Sequence, residues 1–350
     1  HDLGHAIAAV SMAAALCGWR THLLPAWSQS AIAGATGIDR EGDFTEAEDE
    51  EPGCMLALST GPTLGSLDTS PLIEAIRQGQ WCGQASQLSE DHVQWTFIDE
   101  VAQATVDPGR RVPPVVLPTP TRGERADRRI DARALLLQRR SAVSFDGRST
   151  IDRATFMRIV ASVMPGPGAP WLAQWWTPRV HLALFVHRVD GLSPGLYMLP
   201  RAPEGLDRLQ AACRPDFLWD HIDDSLPLRC LAKGDVRALA ARLSCDQDIA
   251  SGGFFSLGML ADFDASLTEF GPSFYRHLFW ETGIVGQVLY LEAEAAGARA
   301  TGIGCFYDDP VHEVLGLHGH AFQSLYHFTV GMPIEDARLT TEPGYPWDSR

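Results

Sequence analysis

Residues Trp280–Leu317 read W-E-T-G-I-V-G-Q-V-L-Y-L-E-A-E-A-A-G-A-R-A-T-G-I-G-C-F-Y-D-D-P-V-H-E-V-L-G-L, and this stretch decides the fold. Thr282 is a predicted N-cap, and the apolar residues after it recur at helical spacing. Gly297 is typical of the position that ends such a helix. The sequence then predicts a short buried strand with a glycine-bearing turn over 300–306, and a second helix that ends near Gly316.

The two glycines of this strand allow a backbone to lie flat against a ligand with its amide groups exposed. The order of helix, glycine-bearing strand and short helix resembles the C-terminal half of nitroreductase-fold flavoproteins, and the SagB/ThcOx-like dehydrogenase branch in particular. The resemblance implies that the backbone of Gly302, Ile303, Gly304 and Cys305 passes the flavin ring and hydrogen-bonds the reactive N5. An ordinary buried helix–strand–helix, with glycines for packing, stays open as the alternative.

A second motif lies upstream, where residues 139–146 read R-R-S-A-V-S-F-D and resemble the nitroreductase motif R-R-S-x-R-x-F. The resemblance implies that Arg139, Arg140 and Ser141 hold the phosphate and ribityl oxygens of FMN. Guanidinium groups and a hydroxyl suit those acceptors. Val143 stands where the motif has a later basic residue, so the reduced flavin loses a positive neighbour.

Three further features follow from the resemblance. Residues 186–197, V-H-R-V-D-G-L-S-P-G-L-Y, are similar to a hairpin of the SagB-like branch. Tyr275 is the candidate catalytic ring on the substrate face, since Phe270 replaces the usual tyrosine of the family segment. A half-buried packing role for Tyr275 stays open. Arg338, just after the last predicted strand, is the residue expected to reach the flavin phosphate.

The chain also resembles itself at a spacing of 279 residues, and we interpret this as a tandem repeat. Pro25 takes the place of Gly304 in the first copy and has no N–H to offer a flavin. Residues 54–61 resemble 324–331. The aligned glycine pairs are Gly4 with Gly283, Gly18 with Gly297, and Gly37 with Gly316.

The domain organisation predicted from these matches has three parts. Residues 1–61 form the C-terminal remnant of a degenerate first nitroreductase-like unit. Residues 62–127 are a connector whose proline-rich end serves as an extended linker. Residues 128–350 form the FMN domain. Because the sequence starts within the first motif, we expect the native N-terminus to lie further upstream.

Composition excludes several functions. At 45% hydrophobic and 21% charged residues the 350-residue chain is typical of globular proteins, and its net charge of −16 disfavours nucleic acid and anionic membranes. Seven scattered cysteines without a C-x-x-C motif predict unpaired thiols in a reducing cytoplasm. Cys245 is a buried structural cysteine or a reactive thiol on this view. The spacing of His312, His318 and His320 matches no common zinc pattern, so we predict no metal.

The resemblance implies an α+β nitroreductase fold, an antiparallel sheet wrapped by helices, with noncovalent FMN at a dimer interface. Two units in one chain could supply that interface as an internal pseudo-dimer, and a homodimer is the other form. The predicted function is that of an FMN-dependent oxidoreductase with hydride transfer through the flavin N5, with azoline-type oxidation of a modified peptide as the specific hypothesis. The alternatives are NAD(P)H-dependent reduction of nitro or quinone compounds and a non-catalytic flavin-binding or scaffold protein.

Overall fold

The computed structural model of this chain describes residues 1–45, 47–61, 69–87, 96–112, 130–340 and 342. Most of the proline-rich linker predicted over 108–125 lies outside these residues. The helices are α1 (Asp2–Leu16), α2 (Gln29–Thr36), α3 (Ser70–Arg77), α4 (Thr96–Ala104), α5 (Ala132–Gln138), α6 (Arg153–Ser162), α7 (Gly205–Ala212), α8 (Arg237–Leu243), α9 (Ile249–Gly252), α10 (Phe263–Phe270), α11 (Tyr275–Ala295) and α12 (Asp308–Leu315). The strands are β1 (Arg20–Leu23), β2 (Leu56–Ser59), β3 (Ile151–Asp152), β4 (Val180–Val186), β5 (Val189–Asp190), β6 (Gly195–Leu199), β7 (Asp220–Asp223), β8 (Leu226–Lys233), β9 (Phe255–Asp262), β10 (Arg299–Ile303) and β11 (Phe322–Gly331).

A seven-stranded sheet in the order β10-β11-β9-β4-β6-β8-β7 organises the second part of the chain, and each neighbouring pair is antiparallel. Strands β4, β6 and β9 are buried along their whole length because helices cover both faces. Alternate residues of β4 accordingly enter two separate cores, Leu184 in one and Phe185 in the other. The predicted α+β fold with a helix-wrapped antiparallel sheet is confirmed.

Helix α11 begins earlier than the sequence pattern indicated. Thr282 is buried inside the helix, and its hydroxyl donates to the carbonyl of Phe279 instead of capping the helix end. The chain enters α11 at Tyr275 through a single 3-10 turn that follows Gly271, whose φ of +81° ends α10. The predicted end was right, because Gly297 adopts φ +74° directly after the last turn.

The carboxylate of Glu281 ties α11 to the sheet from inside the core. Its side chain is fully buried and forms an ion pair of 2.5 Å with Arg201, which is also fully buried. It also accepts hydrogen bonds from the indole of Trp176 at 2.9 Å and from the backbone amides of Arg179 and Val180. A buried charge with this many donors is fully compensated, so its removal leaves several groups without partners.

We therefore expect Glu281→Gln to cost about 3–5 kcal/mol of unfolding free energy, because the buried Arg201 loses its counter-charge. The new amide nitrogen would also face N–H donors. Urea unfolding followed by circular dichroism measures the loss. Glu269→Gln is the matched control, since Glu269 is 52% exposed in its ion pair with Arg179 and should cost at most about 1 kcal/mol. Equal losses in the two variants would contradict this account of the core.

The elements α1, β1, α2 and β2 follow one another in the same order as α11, β10, α12 and β11. Helices α2 and α12 have eight residues each, begin at Gln29 and Asp308, and end before a left-handed glycine. The strand pairing corrects one detail of the sequence alignment. Arg20 pairs with Ser59, whereas its counterpart Arg299 pairs with Gly331. The alignment of 54–61 with 324–331 is thus displaced by two residues, because low-identity apolar strands fix no register by themselves.

Helices α1 and α11 cross where Gly4 meets Gly283. A Cβ added at Gly283 would lie 2.9 Å from the Cα of Gly4 and 2.8 Å from the backbone nitrogen of His5. A Cβ at Gly4 would likewise lie 2.9 Å from the Cα of Gly283. Only glycine at both positions allows two backbones to approach this closely.

Gly283→Ala should therefore destabilise the protein, although alanine is the better helix former by about 1 kcal/mol. The methyl group would meet backbone atoms that cannot rotate away, and we expect a net loss of about 2 kcal/mol in urea unfolding. Gly168→Ala is the control, since no atom lies within 4 Å of a Cβ at Gly168. A Gly283→Ala protein as stable as the control would show that the two helices do not pack at this point.

Candidate functional site

The R-R-S segment lies directly against β10, although about 160 residues separate them in sequence. The amide of Ala142 donates to the carbonyl of Ala300 at 3.0 Å, and Ser141 forms a parallel bridge with Ala300. The hydroxyl of Thr301 donates to the carbonyl of Ala142 at 2.5 Å. The structure thus brings Arg139, the first residue of this motif, and the predicted flavin-lining backbone to one edge of the sheet.

Tyr290 of α11 joins these two segments. Its hydroxyl accepts the amide hydrogen of Gly302 at 3.0 Å and lies 3.0 Å from the hydroxyl of Ser141. The guanidinium of Arg139 lies 4.9 Å from the centre of the Tyr290 ring, within cation–π distance. Sequence reasoning missed Tyr290, because a tyrosine on the apolar face of a helix carries no signal of a polar partner.

The arginines predicted to bind the flavin phosphate differ in the partners that they already have. Among the residues that the structure describes, no carboxylate lies within ion-pair distance of Arg139. Arg140 is exposed and donates to the carbonyls of Leu137 and Arg139, so it satisfies the end of α5. Arg338 is 89% exposed and forms a two-pronged pair with Asp336. Arg139 is therefore the basic side chain best placed to accept a ligand anion.

The two glycines of β10 and its turn are in different surroundings. A Cβ at Gly302 would collide with the hydroxyl of Tyr326, so a protein side chain already covers Gly302. No atom lies within 4 Å of a Cβ placed at Gly304, which is exposed. Gly304 is therefore the glycine whose backbone a planar ligand can approach. The side chain of Val143, which replaces the basic residue of the motif, is 55% exposed.

The histidines of α1 reach the same region. His5 lies with its Nε2 3.4 Å from the hydroxyl of Tyr326 and its Nδ1 3.1 Å from the amide oxygen of Gln287. In this arrangement Nδ1 donates to Gln287 and Nε2 accepts from Tyr326. Burial lowers the pKa of His5 and raises that of Tyr326, so both side chains are held neutral. The ring of His1 stacks on Tyr326 at 4.0 Å.

The backbone at Pro25, which the sequence alignment matches to Gly304, is covered by another segment. The carbonyl of Pro25, which stands in place of Gly304, accepts the amide of Arg110 at 2.7 Å. A Cβ at Gly109 would lie 2.8 Å from the carbonyl oxygen of Ala26. Residues 107–110 thus cover the backbone at Pro25, whereas the backbone at Gly304 is open.

Cys305 follows Gly304 and forms a disulfide with Cys245. The expectation of unpaired cysteines, with Cys245 a buried structural thiol, is therefore wrong for this pair. Cysteine spacing could not reveal this pairing, because 60 residues separate the two cysteines. Only the tertiary structure brings the end of α8 beside the end of β10. The side chain of Gln247 donates to the carbonyl of Cys305 at 3.2 Å and fixes the backbone at this point.

Tyr275, the predicted catalytic residue, lies apart from this edge. It is the first residue of α11 and packs against Phe263 and Phe279. Tyr290 is 15 positions further along the same helix, about 22 Å by the rise of an α-helix. Burial raises the pKa of Tyr275. The structure does not bring this ring to Ser141 and Gly302, and the aromatic side chains beside those residues are Tyr290 and Tyr326.

The comparisons with known proteins agree with the fold. Residues 195–332 match the model of the nitroreductase family, and the fold is the nitroreductase fold. A crystal structure assigned as a nitroreductase from Anabaena variabilis superimposes with a TM-score of 0.63 and 18% identity, over 95% of this chain and 64% of that protein. The chain therefore spans less than two thirds of the length of that protein. At this identity the likeness shows the fold alone.

Two further structures are similar at lower scores. One is assigned as a nitroreductase from Ralstonia eutropha, with a TM-score of 0.41 and 15% identity over 64% of this chain and 95% of that one. The other is the E. coli microcin synthetase McbBCD complex with truncated pro-MccB17 bound, with a TM-score of 0.42 and 16% identity over 71% of this chain and 85% of that one. No curated protein matches the chain.

The described part of the chain offers neither a membrane-spanning helix nor a cluster of metal-ligand side chains. Among the described residues, no helix combines the length and apolar character that a bilayer crossing requires. In the same part of the chain, no three histidine, cysteine, aspartate or glutamate side chains gather as metal ligands would. His312 lies in α12, whereas His318 and His320 are exposed in the turn after it.

Tyr290→Phe should loosen the candidate site, because the amide of Gly302 loses its acceptor and Ser141 its partner. We expect a cost of about 1–3 kcal/mol in urea unfolding and faster hydrogen exchange at Gly302. Tyr275→Phe is the matched control, since its hydroxyl has no hydrogen-bond partner among the described residues, and this variant should change neither quantity. If both variants exchange the Gly302 amide at the wild-type rate, Tyr290 does not hold this site together.

Proposed function

We propose that this chain is an FMN-dependent oxidoreductase with one flavin site, at the edge formed by the R-R-S segment and β10. The observation that carries the proposal is the bridge between Ser141 and Ala300. The bridge brings Arg139, which has no carboxylate partner among the described residues, to the sheet edge formed by β10, and the turn after β10 leaves the backbone of Gly304 open. A phosphate needs cationic donors, and a flavin ring needs an approachable backbone.

The residues present fit the cofactor at its phosphate and at its ring. Arg139, Arg140 and Ser141 would hold the phosphate and the ribityl oxygens, with Arg338 free to join once released from Asp336. The backbone of Gly304 would lie against the ring. When bound, FMN supplies hydride transfer at its N5. Because Val143 offers no positive charge, the reduced flavin would receive less electrostatic stabilisation than in relatives that carry the basic residue.

The chain's own residues would control access and proton supply at this edge. Tyr290 holds Ser141 and Gly302 in one arrangement, so the cofactor would meet a preorganised edge. His5 and Tyr326 form a neutral hydrogen-bonded pair that covers Gly302 and keeps water from that side of β10. A substrate would then approach from the exposed side of Gly304.

We also propose that the two copies of the repeat form an internal pseudo-dimer. The matching order of four elements, the spacing of 279 residues and the crossing of Gly4 with Gly283 support this proposal. Residues that a twofold axis relates meet each other where helices cross at that axis. The connector residues that cover Pro25 support one flavin per chain and not two.

For the substrate we keep azoline-type oxidation of a modified peptide as the leading hypothesis. It rests on the similarity of residues 186–197 to the SagB-like branch. A non-catalytic flavin-binding or scaffold protein is the second candidate. Two observations favour this candidate. Tyr326 covers Gly302, which leaves less open backbone for a flavin ring, and Val143 supplies no positive charge to stabilise a reduced flavin.

The test is flavin content after purification. The double variant Arg139→Ala/Arg140→Ala should lose at least about 90% of its FMN, since a phosphate contact of this kind contributes about 1.5–3 kcal/mol per charged hydrogen bond. The wild-type protein should carry one FMN per chain by visible absorbance and mass spectrometry of the released chromophore.

Arg237→Ala is the control, since Arg237 pairs with Asp235 on the surface and belongs to no predicted contact. It should retain the wild-type FMN content. Full FMN content in the double variant would overturn the phosphate assignment. A wild-type protein that neither carries nor takes up FMN would overturn the oxidoreductase proposal.

A further inference from the structure

The Cys245–Cys305 disulfide lies at the surface beside the candidate site, and its two ends differ in exposure. Cys305 is exposed in the turn between β10 and α12, whereas Cys245 is half-buried after α8. A thiolate from solution therefore has readier access to Cys305. No other disulfide links residues that the structure describes.

The backbone at Cys245 is in a conformation that side chains disfavour. Cys245 has φ +56° and Asp246 has φ +55°, both in the left-handed region. A cysteine rarely adopts this region, whereas an aspartate tolerates it better. Opening the disulfide would let the backbone at Cys245 leave this conformation. The conformation of Cys245 therefore favours reduction of the Cys245–Cys305 bond.

Hydrogen bonds join the two segments independently of the disulfide. The amide of Tyr307 donates to the carbonyl of Leu243 at 2.9 Å. Gln247 donates to the carbonyl of Cys305 at 3.2 Å. The hydroxyl of Ser244, next to Cys245, lies 3.0 Å from Nδ1 of the buried His327 in β11, so the Cys245 segment is also anchored to the sheet. The fold at this point therefore does not depend on the sulfur–sulfur bond.

The surface around the disulfide is acidic. Asp246 and Asp248 follow Cys245, and Asp308 and Asp309 follow Cys305; all four are exposed. Arg242, in the last turn of α8, is the nearby basic residue in sequence. A negative surface repels anionic reagents and attracts cationic ones, and salt screens both effects.

From these observations we infer that Cys245–Cys305 is a thiol–disulfide exchange site for small neutral or positively charged thiols, which attack at Cys305. This goes beyond the proposed oxidoreductase and does not require FMN. Because Cys305 directly follows Gly304, the exchange would take place beside the proposed flavin site.

The exchange proceeds in two balanced steps. An external thiolate attacks the sulfur of Cys305, forms a mixed disulfide with it, and releases Cys245 as a thiolate. A second external thiolate attacks the external sulfur of this mixed disulfide. The two external thiols leave together as a disulfide, and Cys305 is released as a thiolate. Two external thiols thus supply two electrons, and the protein thiolates take up protons from water. An external disulfide reverses both steps.

The experiment uses the full chain with Cys17→Ser and Cys82→Ser, which removes the two exposed free thiols. Burial raises the pKa of the thiols of Cys54 to about 11 and of Cys213 to about 12, and burial also raises that of Cys230. These three therefore stay protonated and react slowly. The protein is treated with cysteamine or with 2-mercaptoethanesulfonate, trapped with iodoacetamide, and mapped by peptide mass spectrometry.

We expect cysteamine to open the disulfide of the folded protein about tenfold faster than the sulfonate at low ionic strength, with a ratio that falls in high salt. With cystamine as oxidant, the Cys245→Ser variant should accumulate the mixed disulfide on Cys305. The Cys305→Ser variant should accumulate it on Cys245 about tenfold more slowly.

Three results would overturn the inference. The first is a disulfide that opens only after urea unfolding, as a purely structural bridge does. The second is a reduced protein in which cystamine forms no Cys245–Cys305 bond. The third is equal reaction of the two thiols. The double variant Cys245→Ser/Cys305→Ser should unfold in urea like the parent, which keeps folding separate from exchange. Running every arm with and without FMN distinguishes failure here from failure of the flavin proposal.

Discussion

The buried carboxylate of Glu281 is the constraint on which the rest of this structure depends. One fully enclosed charge accepts hydrogen bonds from the side chains of Arg201 and Trp176 and from the two backbone amides where β4 begins, those of residues 179 and 180. Because an uncompensated charge in the core is so costly, α11 can take only the position and rotation that satisfy all these donors together. Fixing α11 in turn fixes Gly283, where α1 crosses, and Tyr290, which holds the candidate site.

The close crossing of α1 and α11 makes the first segment part of the site. With glycine at both contact points, the helix backbones approach until His5 reaches Tyr326. The same approach is what the proposed internal repeat requires, since a self-matching contact between two copies needs the same small residue on each side. The two segments differ at the positions of Pro25 and Gly304. Connector residues cover Pro25, whereas nothing within the described chain covers Gly304.

The candidate site is a sheet edge to which segments distant in sequence each contribute a different chemical group. The R-R-S segment contributes charge, β10 contributes an open backbone, and α11 contributes the tyrosine that links them. The disulfide lies at the same edge, in loops that hydrogen bonds also hold. Exposed aspartates flank both of its cysteines, so the local electrostatic potential would favour cationic reagents over anionic ones.

From the sequence alone, the resemblance to a known family indicated the fold class, and local patterns indicated where two helices end, because a glycine that ends a helix is a local property of the chain. The left-handed Gly297 and Gly316 ended their helices as predicted for this reason. Only the tertiary structure decided the start of α11, the burial of Glu281, the partners of Tyr290 and the pairing of Cys245 with Cys305. Each of these depends on contacts between residues that lie tens to hundreds of positions apart, and no local pattern encodes such contacts.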